Sequence, residues 1–260
     1  MDSLLAAVAT GDSGGHASCL IGLRHQGVIG NIAADKAEAA RWYRRSVAAG
    51  NLGSAVMLGR LCVENEDHVE AFKLFARAVA CPDKTLRAEA MFRVAEGYRR
   101  GVGIALDHRK AFRFFSRAAE EGHSTAMLML AAYCDGEDAG GSAAAGVEVD
   151  PAAAFAWMRR AADSGDAEAC NYLAYRSLNG HGVETDARKA HACFVRAAAA
   201  DFFLARSALI LAQMFEDGQG CDADAAAALV FYKRAAAAAG ADENMRDDAD
   251  LAVARLEETA

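Results

Sequence analysis

Small and apolar residues along this chain recur with a long period. From Ala90, the positions Ala90, Val94, Ala95, Tyr98, Gly101, Gly103, Ile104, Asp107, Ala111, Phe114, Ala118, Ala119 and Gly122 lead to Ala126, where the pattern restarts after 36 residues. A period of roughly 20 to 50 residues marks stacked supersecondary repeats. Inside the period the spacings of 3, 4 and 7 are those of a helix face, so each unit reads as a pair of helices, A and B.

Helix B is the clearer of the two. An aspartate precedes a repeated alanine by four residues at Asp35, Asp67, Asp107, Asp150, Asp186 and Asp224, with Ala39, Ala71, Ala111, Ala154, Ala190 and Ala228 following. Aspartate is a strong N-cap because its carboxylate accepts orphan N–H groups of the first turn. Three residues past the alanine comes a large or soft side chain: Trp42, Leu74, Phe114, Trp157, Cys193 and Phe231. Small pairs such as Ala118-Ala119 and Ala161-Ala162 follow, and the unit closes on Gly50, Gly122 or Gly165, replaced elsewhere by Pro82, Asp201 and Ala239.

Helix A carries an apolar residue at Ile21, Leu58, Val94, Leu130, Leu173 and Leu211. A small one always follows: Gly22, Gly59, Ala95, Ala131, Ala174 and Ala212. Three residues on stand His25, Cys62, Tyr98, Cys134, Ser177 and Phe215. A small residue beside a large one predicts a close helix crossing. Helix A ends in a glycine loop such as Gly101-Val102-Gly103, Gly180-His181-Gly182 or Gly218-Gln219-Gly220. The stretch Gly136–Gly146 is rich in Gly and Ala without periodicity and reads as a mobile surface loop. The repeats fall at about 17–53, 54–89, 90–125, 126–168, 169–206 and 207–241, flanked by an N-terminal cap, 1–16, and a charged capping helix, 242–260. The whole is expected to form one domain of about 13 to 15 helices.

Composition narrows the function classes. Among 260 residues only 2 are proline, and alanine is abundant, which favours helix. The net charge of −8 argues against nucleic acid as primary ligand, since phosphate binding needs a basic footprint. No apolar run approaches a membrane span, and Asp2 stands where a signal peptide wants a basic residue. Seven irregularly spaced cysteines without a CxxC read as reduced, buried thiols, and hence a cytoplasmic protein.

The repeated pattern small–x3–Leu-Gly/Ala–x2–Tyr–x2–Gly-x-Gly-Val–x2–Asp–x3–Ala–x2–Trp/Phe–x3–Ala-Ala–x2–Gly resembles the Sel1-like repeat family, relatives of tetratricopeptide repeats, over residues 17–240. The third, fifth and sixth units match it well; the first, second and fourth are degenerate. The resemblance implies an all-α, right-handed α/α superhelix with helix A residues on a concave face, and adaptor or scaffold work among proteins. A secreted subgroup pairs two cysteines within each repeat and has been credited with penicillin hydrolysis. No such regular pair stands here, which argues against a secreted protein and against that activity.

Candidate chemistry is sparse. His16 and Cys19 share a helix face at a spacing compatible with two metal ligands, but two ligands do not make a site. His25 takes the tyrosine position of its repeat. No G-x-S-x-G elbow is present, and the paired glycines lack the Lys-Ser/Thr of a phosphate loop. No catalytic residue, cofactor or metal is expected. The leading function is a non-enzymatic scaffold for a partner protein or peptide; the alternatives are a hydrolase of the penicillin-binding type or a haem or small-molecule carrier. Three helix A rows are expected on the concave face: Cys19, Val56, Phe92, Leu128, Asn171 and Leu209; Leu23, Arg60, Glu96, Ala132, Tyr175 and Gln213; Gln26, Val63, Arg99, Asp135, Leu178 and Glu216. The first is mostly apolar, Arg60, Arg99 and Arg100 make a basic centre, and Asp135, Glu216 and Asp217 an acidic end. The partner-binding candidates are therefore Arg60, Phe92, Glu96, Arg99, Arg100, Leu128, Asp135, Asn171, Tyr175, Leu209, Gln213 and Glu216.

Overall fold

The computed structural model describes residues 2–28, 35–136, 139–199, 205–238 and 243–259. Asp201 and Ala239 lie outside them. Among the described residues there are fifteen α-helices and no strand. They are α1 (Asp2–Ala9), α2 (His16–His25), α3 (Lys36–Ala48), α4 (Leu52–Glu64), α5 (His68–Ala78), α6 (Lys84–Arg100), α7 (His108–Glu120), α8 (Ser124–Asp135), α9 (Ala139–Ala145), α10 (Pro151–Asp163), α11 (Ala167–Asn179), α12 (Ala187–Ala198), α13 (Ala205–Asp217), α14 (Ala225–Ala237) and α15 (Glu243–Thr259). The chain divides into two compact units, one of residues 1–126 with 140–146, the other of 127–139 with 147–260. Where the sequence reads as a loop, Ala139–Ala145 is helical; alanine's helix propensity outweighs the glycines there.

Every B helix begins on its aspartate. Asp35, Asp67, Asp107, Asp150, Asp186 and Asp224 each accept a first-turn backbone N–H at 2.9–3.2 Å. The backbone N–H of the same aspartate donates to the carbonyl of His25, Cys62, Tyr98, Cys134, Ser177 or Phe215, at 2.7–2.9 Å. One residue thus caps helix B and ties it to the end of helix A.

The crossing inside each pair follows the small residue of helix A. Gly22 and Gly59 are buried, and a Cβ added there would fall 2.6 Å from the Tyr43 ring and 2.8 Å from Phe75. The side chain that fills the gap stands four residues past the repeated alanine of helix B. Tyr43, Phe75, Phe115, Met158, Phe194 and Tyr232 are all at most 3% exposed, whereas Trp42, Phe114, Trp157 and Phe231 sit half-buried at the boundary. Where this inner residue is tyrosine, helix A supplies an acceptor. The Tyr43 hydroxyl donates to Gln26 and that of Tyr232 to Glu216, both at 2.7 Å.

The following repeat reaches the start of α5 and both ends of α10 and α12. Gly101 ends α6 in the left-handed conformation, and Gly103, also at positive φ (75°), lies so close to the His68 carbonyl that any Cβ would overlap it. Gly182 meets Pro151 and Gly220 meets Ala187 in the same way. At the other end an exposed arginine recurs in one register: Arg45, Arg77, Arg117, Arg160, Arg196 and Arg234. The guanidiniums of Arg45, Arg117, Arg160 and Arg234 lie over the boundary aromatic three residues back, at 4.4–5.8 Å. Arg196 donates to the Ala162 carbonyl at 2.5 Å and Arg234 to that of Ala198 at 3.0 Å, each at the C-terminus of the preceding B helix. There a cation also meets the negative end of the helix dipole.

Candidate functional site

Each of the two units carries its own hollows. In the first, α4, α5 and α6 enclose a cleft lined by Val63, Phe72, Phe75, Arg93, Glu96, Gly97 and Arg100, with a cavity of about 180 Å³. A second hollow of about 330 Å³ adjoins it, sharing Val63, Phe75 and Arg93 and adding Gln26, Arg60 and Glu64. Phe72 packs edge-on against Tyr98 with centroids 5.3 Å apart, fixing the floor.

The charges around this cleft are organised by Glu89. Its carboxylate meets Arg93 Nε at 2.8 Å, His123 Nε2 at 3.2 Å and Arg60 Nη2 at 3.5 Å. His123 Nδ1 accepts the Ala126 N–H at 3.3 Å, so its proton sits on Nε2 and is donated to Glu89. The His123 bond, then Arg93, hold the Glu89 carboxyl down at about 2, against the opposing effect of burial. Beside it, Arg99 grips Glu96 with two hydrogen bonds of 2.7 and 3.1 Å. Arg100 is exposed and makes no ion pair among the described residues.

The expected row of apolar surface is not surface. Phe92 is 9% exposed, stacked on His123 at 4.4 Å and tilted against Phe115 at 5.8 Å. Val56, Leu128 and Asn171 are buried as well, and Cys19 and Leu209 half-buried. The row lies three residues before the small position, on the face that helix packing covers. The basic centre is altered too: Arg60 and Arg99 are paired with carboxylates, and Arg93, absent from the candidates, lines both hollows.

In the second unit the candidates are spread out. Asp135 binds the buried Arg176 through both guanidinium nitrogens. The Tyr175 hydroxyl lies 3.4 Å from that of Ser207, and its ring stands edge-on to Phe194. Leu209 and Gln213 line a hollow of about 340 Å³ with Tyr232, Asp248, Leu251 and Arg255. Glu216 at its edge takes the Tyr232 hydroxyl and Arg255, the latter at 2.5 Å. Burial, then the Glu216 carboxylate, push the Tyr232 hydroxyl pKa up, so it remains a donor.

The cysteines are free; Cys62, Cys81, Cys134, Cys170 and Cys193 are buried. Burial pushes the thiols of Cys62, Cys134, Cys170 and Cys193 up, away from the thiolate that a nucleophile or metal ligand needs. Among the described residues no three His, Cys, Asp or Glu side chains are grouped to hold a metal ion. No helix there is long and apolar enough to cross a membrane.

Comparison with known proteins gives one family. The model of the Sel1 repeat matches six times, at residues 16–51, 46–83, 88–123, 124–166, 167–202 and 205–239. No curated protein matches the chain by sequence. Among solved structures, the chain is similar to a protective antigen of uropathogenic Escherichia coli strains displaying an SLR fold. The TM-score is 0.80 at 24% identity, over 100% of this chain and 52% of the antigen. The chain therefore spans about half the length of that relative. It is also similar to a Sel1 repeat protein from Oxalobacter formigenes, with a TM-score of 0.69 at 22% identity over 89% of each chain.

Proposed function

Since the chain belongs to the Sel1 repeat family, whose members generally serve as protein–protein interaction scaffolds, we propose that it is a non-catalytic scaffold holding a segment of a partner protein, and that the cleft of α4, α5 and α6 is the holding site. The observation that carries this reading is the junction of an apolar floor, Phe72 and Phe75, with charged walls at Arg60, Arg93, Glu96 and Arg100. A partner segment buries apolar side chains on such a floor and takes its orientation from the charges around it. In the second unit the hollow at Leu209, Gln213 and Tyr232 is a further contact for the same kind of partner. The buried, raised thiols favour the scaffold over a thiol-based hydrolase or a haem carrier.

A photocrosslinking residue placed at Val63 tests the assignment against the same residue at Arg113, an exposed position of α7. In cells of the native source, position 63 is expected to give a discrete protein adduct and position 113 none. Adducts from 113 with none from 63 would move the site to the B helices.

A further inference from the structure

The cleft is small where it is apolar and cationic where it is open, and the combination defines its ligand. A cavity of about 150 Å³ holds a benzene molecule. The hollow of about 180 Å³, in which Val63, Ala71, Phe72 and Phe75 lie beside His68, Arg93, Glu96 and Arg100, is therefore of a size to seat one aromatic or branched aliphatic side chain. Its shape depends on Gly97. This glycine stands inside α6, where glycine weakens a helix, and a Cβ there would fall 2.7 Å from the Phe72 ring. Without that Cβ, the Phe72 ring approaches α6 closely at Gly97.

Of the residues lining the two hollows three are arginines, Arg60, Arg93 and Arg100, and two are carboxylates, Glu64 and Glu96. Arg93 gives Nε to Glu89, lies over the Phe92 ring at 5.5 Å and lines both hollows. Arg60 reaches the same carboxylate only at 3.5 Å. Arg100 also lines the pocket, without an ion pair among the described residues. Of the carboxylates lining the hollows, Glu96 is held by Arg99 and Glu64 by Lys36 at 2.8 Å, which blunts their repulsion of an anion. In a chain of net charge −8, the five cations Lys36, Arg60, Arg93, Arg99 and Arg100 here meet three carboxylates, Glu64, Glu89 and Glu96. Glu89, ionised and half-buried, fixes Arg93 and Arg60 in advance, so a ligand carboxylate meets oriented donors.

We infer that the cleft selects an acidic segment bearing a single large apolar anchor: a Leu or Phe side chain seated over Phe72 and Phe75, with Asp or Glu within a few residues on either side facing Arg93, Arg60 and Arg100. The inference rests on the reading of the cleft as the partner site and specifies what that site takes.

The test is selection of a random phage-displayed peptide library on the immobilised full chain, followed by binding of the most enriched synthetic peptide in fluorescence anisotropy. Enriched sequences are expected to place Leu or Phe among two or more acidic residues. Arg100→Glu, an exposed change that leaves helicity intact, should weaken that peptide about tenfold. Arg93→Gln should do likewise, and raised salt should weaken the wild-type complex. Gly97→Ala should shift the selected anchor from Phe toward smaller residues. Basic or neutral enriched sequences, no enrichment, or an affinity unmoved by Arg100→Glu would overturn the acidic specificity. If such a peptide is nevertheless lost on Val63→Arg, which plugs the cleft, the partner-site reading stands and only the specificity falls. Indifference to Val63→Arg as well removes both.

Discussion

Glu89→Gln is the most informative single change, because it removes one charge from beneath the cleft while keeping the side chain's shape. The carboxylate receives His123, Arg93 and Arg60 within 3.5 Å and is held at about 2, against an ordinary 4.5. At about 1.36 kcal/mol per pH unit, that depression corresponds to about 3 kcal/mol of extra stability for the ionised form. Arg60 and Arg93 are 48% and 39% exposed, so solvent screens part of it. The glutamine oxygen also still accepts one hydrogen bond. The expected loss at pH 7 is therefore about 2 kcal/mol. The folded-state pKa lies below the unfolded one, so this stability is complete above about pH 4.5 and drains away as the pH falls toward 2. Urea unfolding can be followed through Trp42, which belongs to the first unit, in a Trp157→Phe background. Measured from pH 7 to 2.5, the difference between parent and variant should shrink toward zero, other carboxylates cancelling in the comparison. A gap that is constant with pH, or absent at pH 7, would refute the assignment of Glu89 as the organising charge.

Three further outcomes are expected. Gly103→Ala should cost at least about 2 kcal/mol in thermal or urea unfolding, from positive φ and overlap with the His68 carbonyl. Gly122→Ala, at positive φ with open space around it, should cost only about 1 kcal/mol; equal losses would show that the carbonyl contact is unimportant. Arg234→Met should destabilise the second unit by about 1 kcal/mol, through the lost bond to Ala198 and the contact with Phe231, and a melting curve identical to the parent's would dismiss the arginine as structural. Ellman's reagent on the native protein should modify Cys19 and Cys221 first and the five buried thiols slowly, with all seven reacting in urea; rapid reaction of Cys62 or Cys193 in the native state would contradict their burial.

Helix starts were legible in the sequence because an N-cap is written in residue type and spacing alone, and all six aspartates cap as expected. The inner ring of helix B was not. Positions 3 and 4 past an alanine share one face, and tryptophan at the boundary position drew attention from Tyr43 and Met158 just behind it. A signal existed: in both repeats with tyrosine at the inner position, Gln26 or Glu216 stands at the matching place on helix A. The arginine register at 45, 77, 117, 160, 196 and 234 was equally readable. Glu89 was less so, since two of its partners, Arg60 and His123, lie 29 and 34 residues away, and only three-dimensional stacking brings them together. The row of Val56, Phe92, Leu128 and Asn171 misled because hydrophobicity alone does not distinguish an open apolar strip from a buried one.

The joints between repeats have a direction. The start of α5 is fitted by Gly103 and the start of α10 by Gly182, while the carbonyl ends of α10 and α12 are met by Arg196 and Arg234; in each case the fitting residue belongs to the repeat that follows. A ribosome delivers these pieces in the opposite order of need. The second helices α10 and α12 leave the exit tunnel before the residues that fit both their ends, which lie more than 30 residues further along the chain. Translation arrested just after α10 or α12 therefore leaves that helix without the contacts that join it to the next repeat.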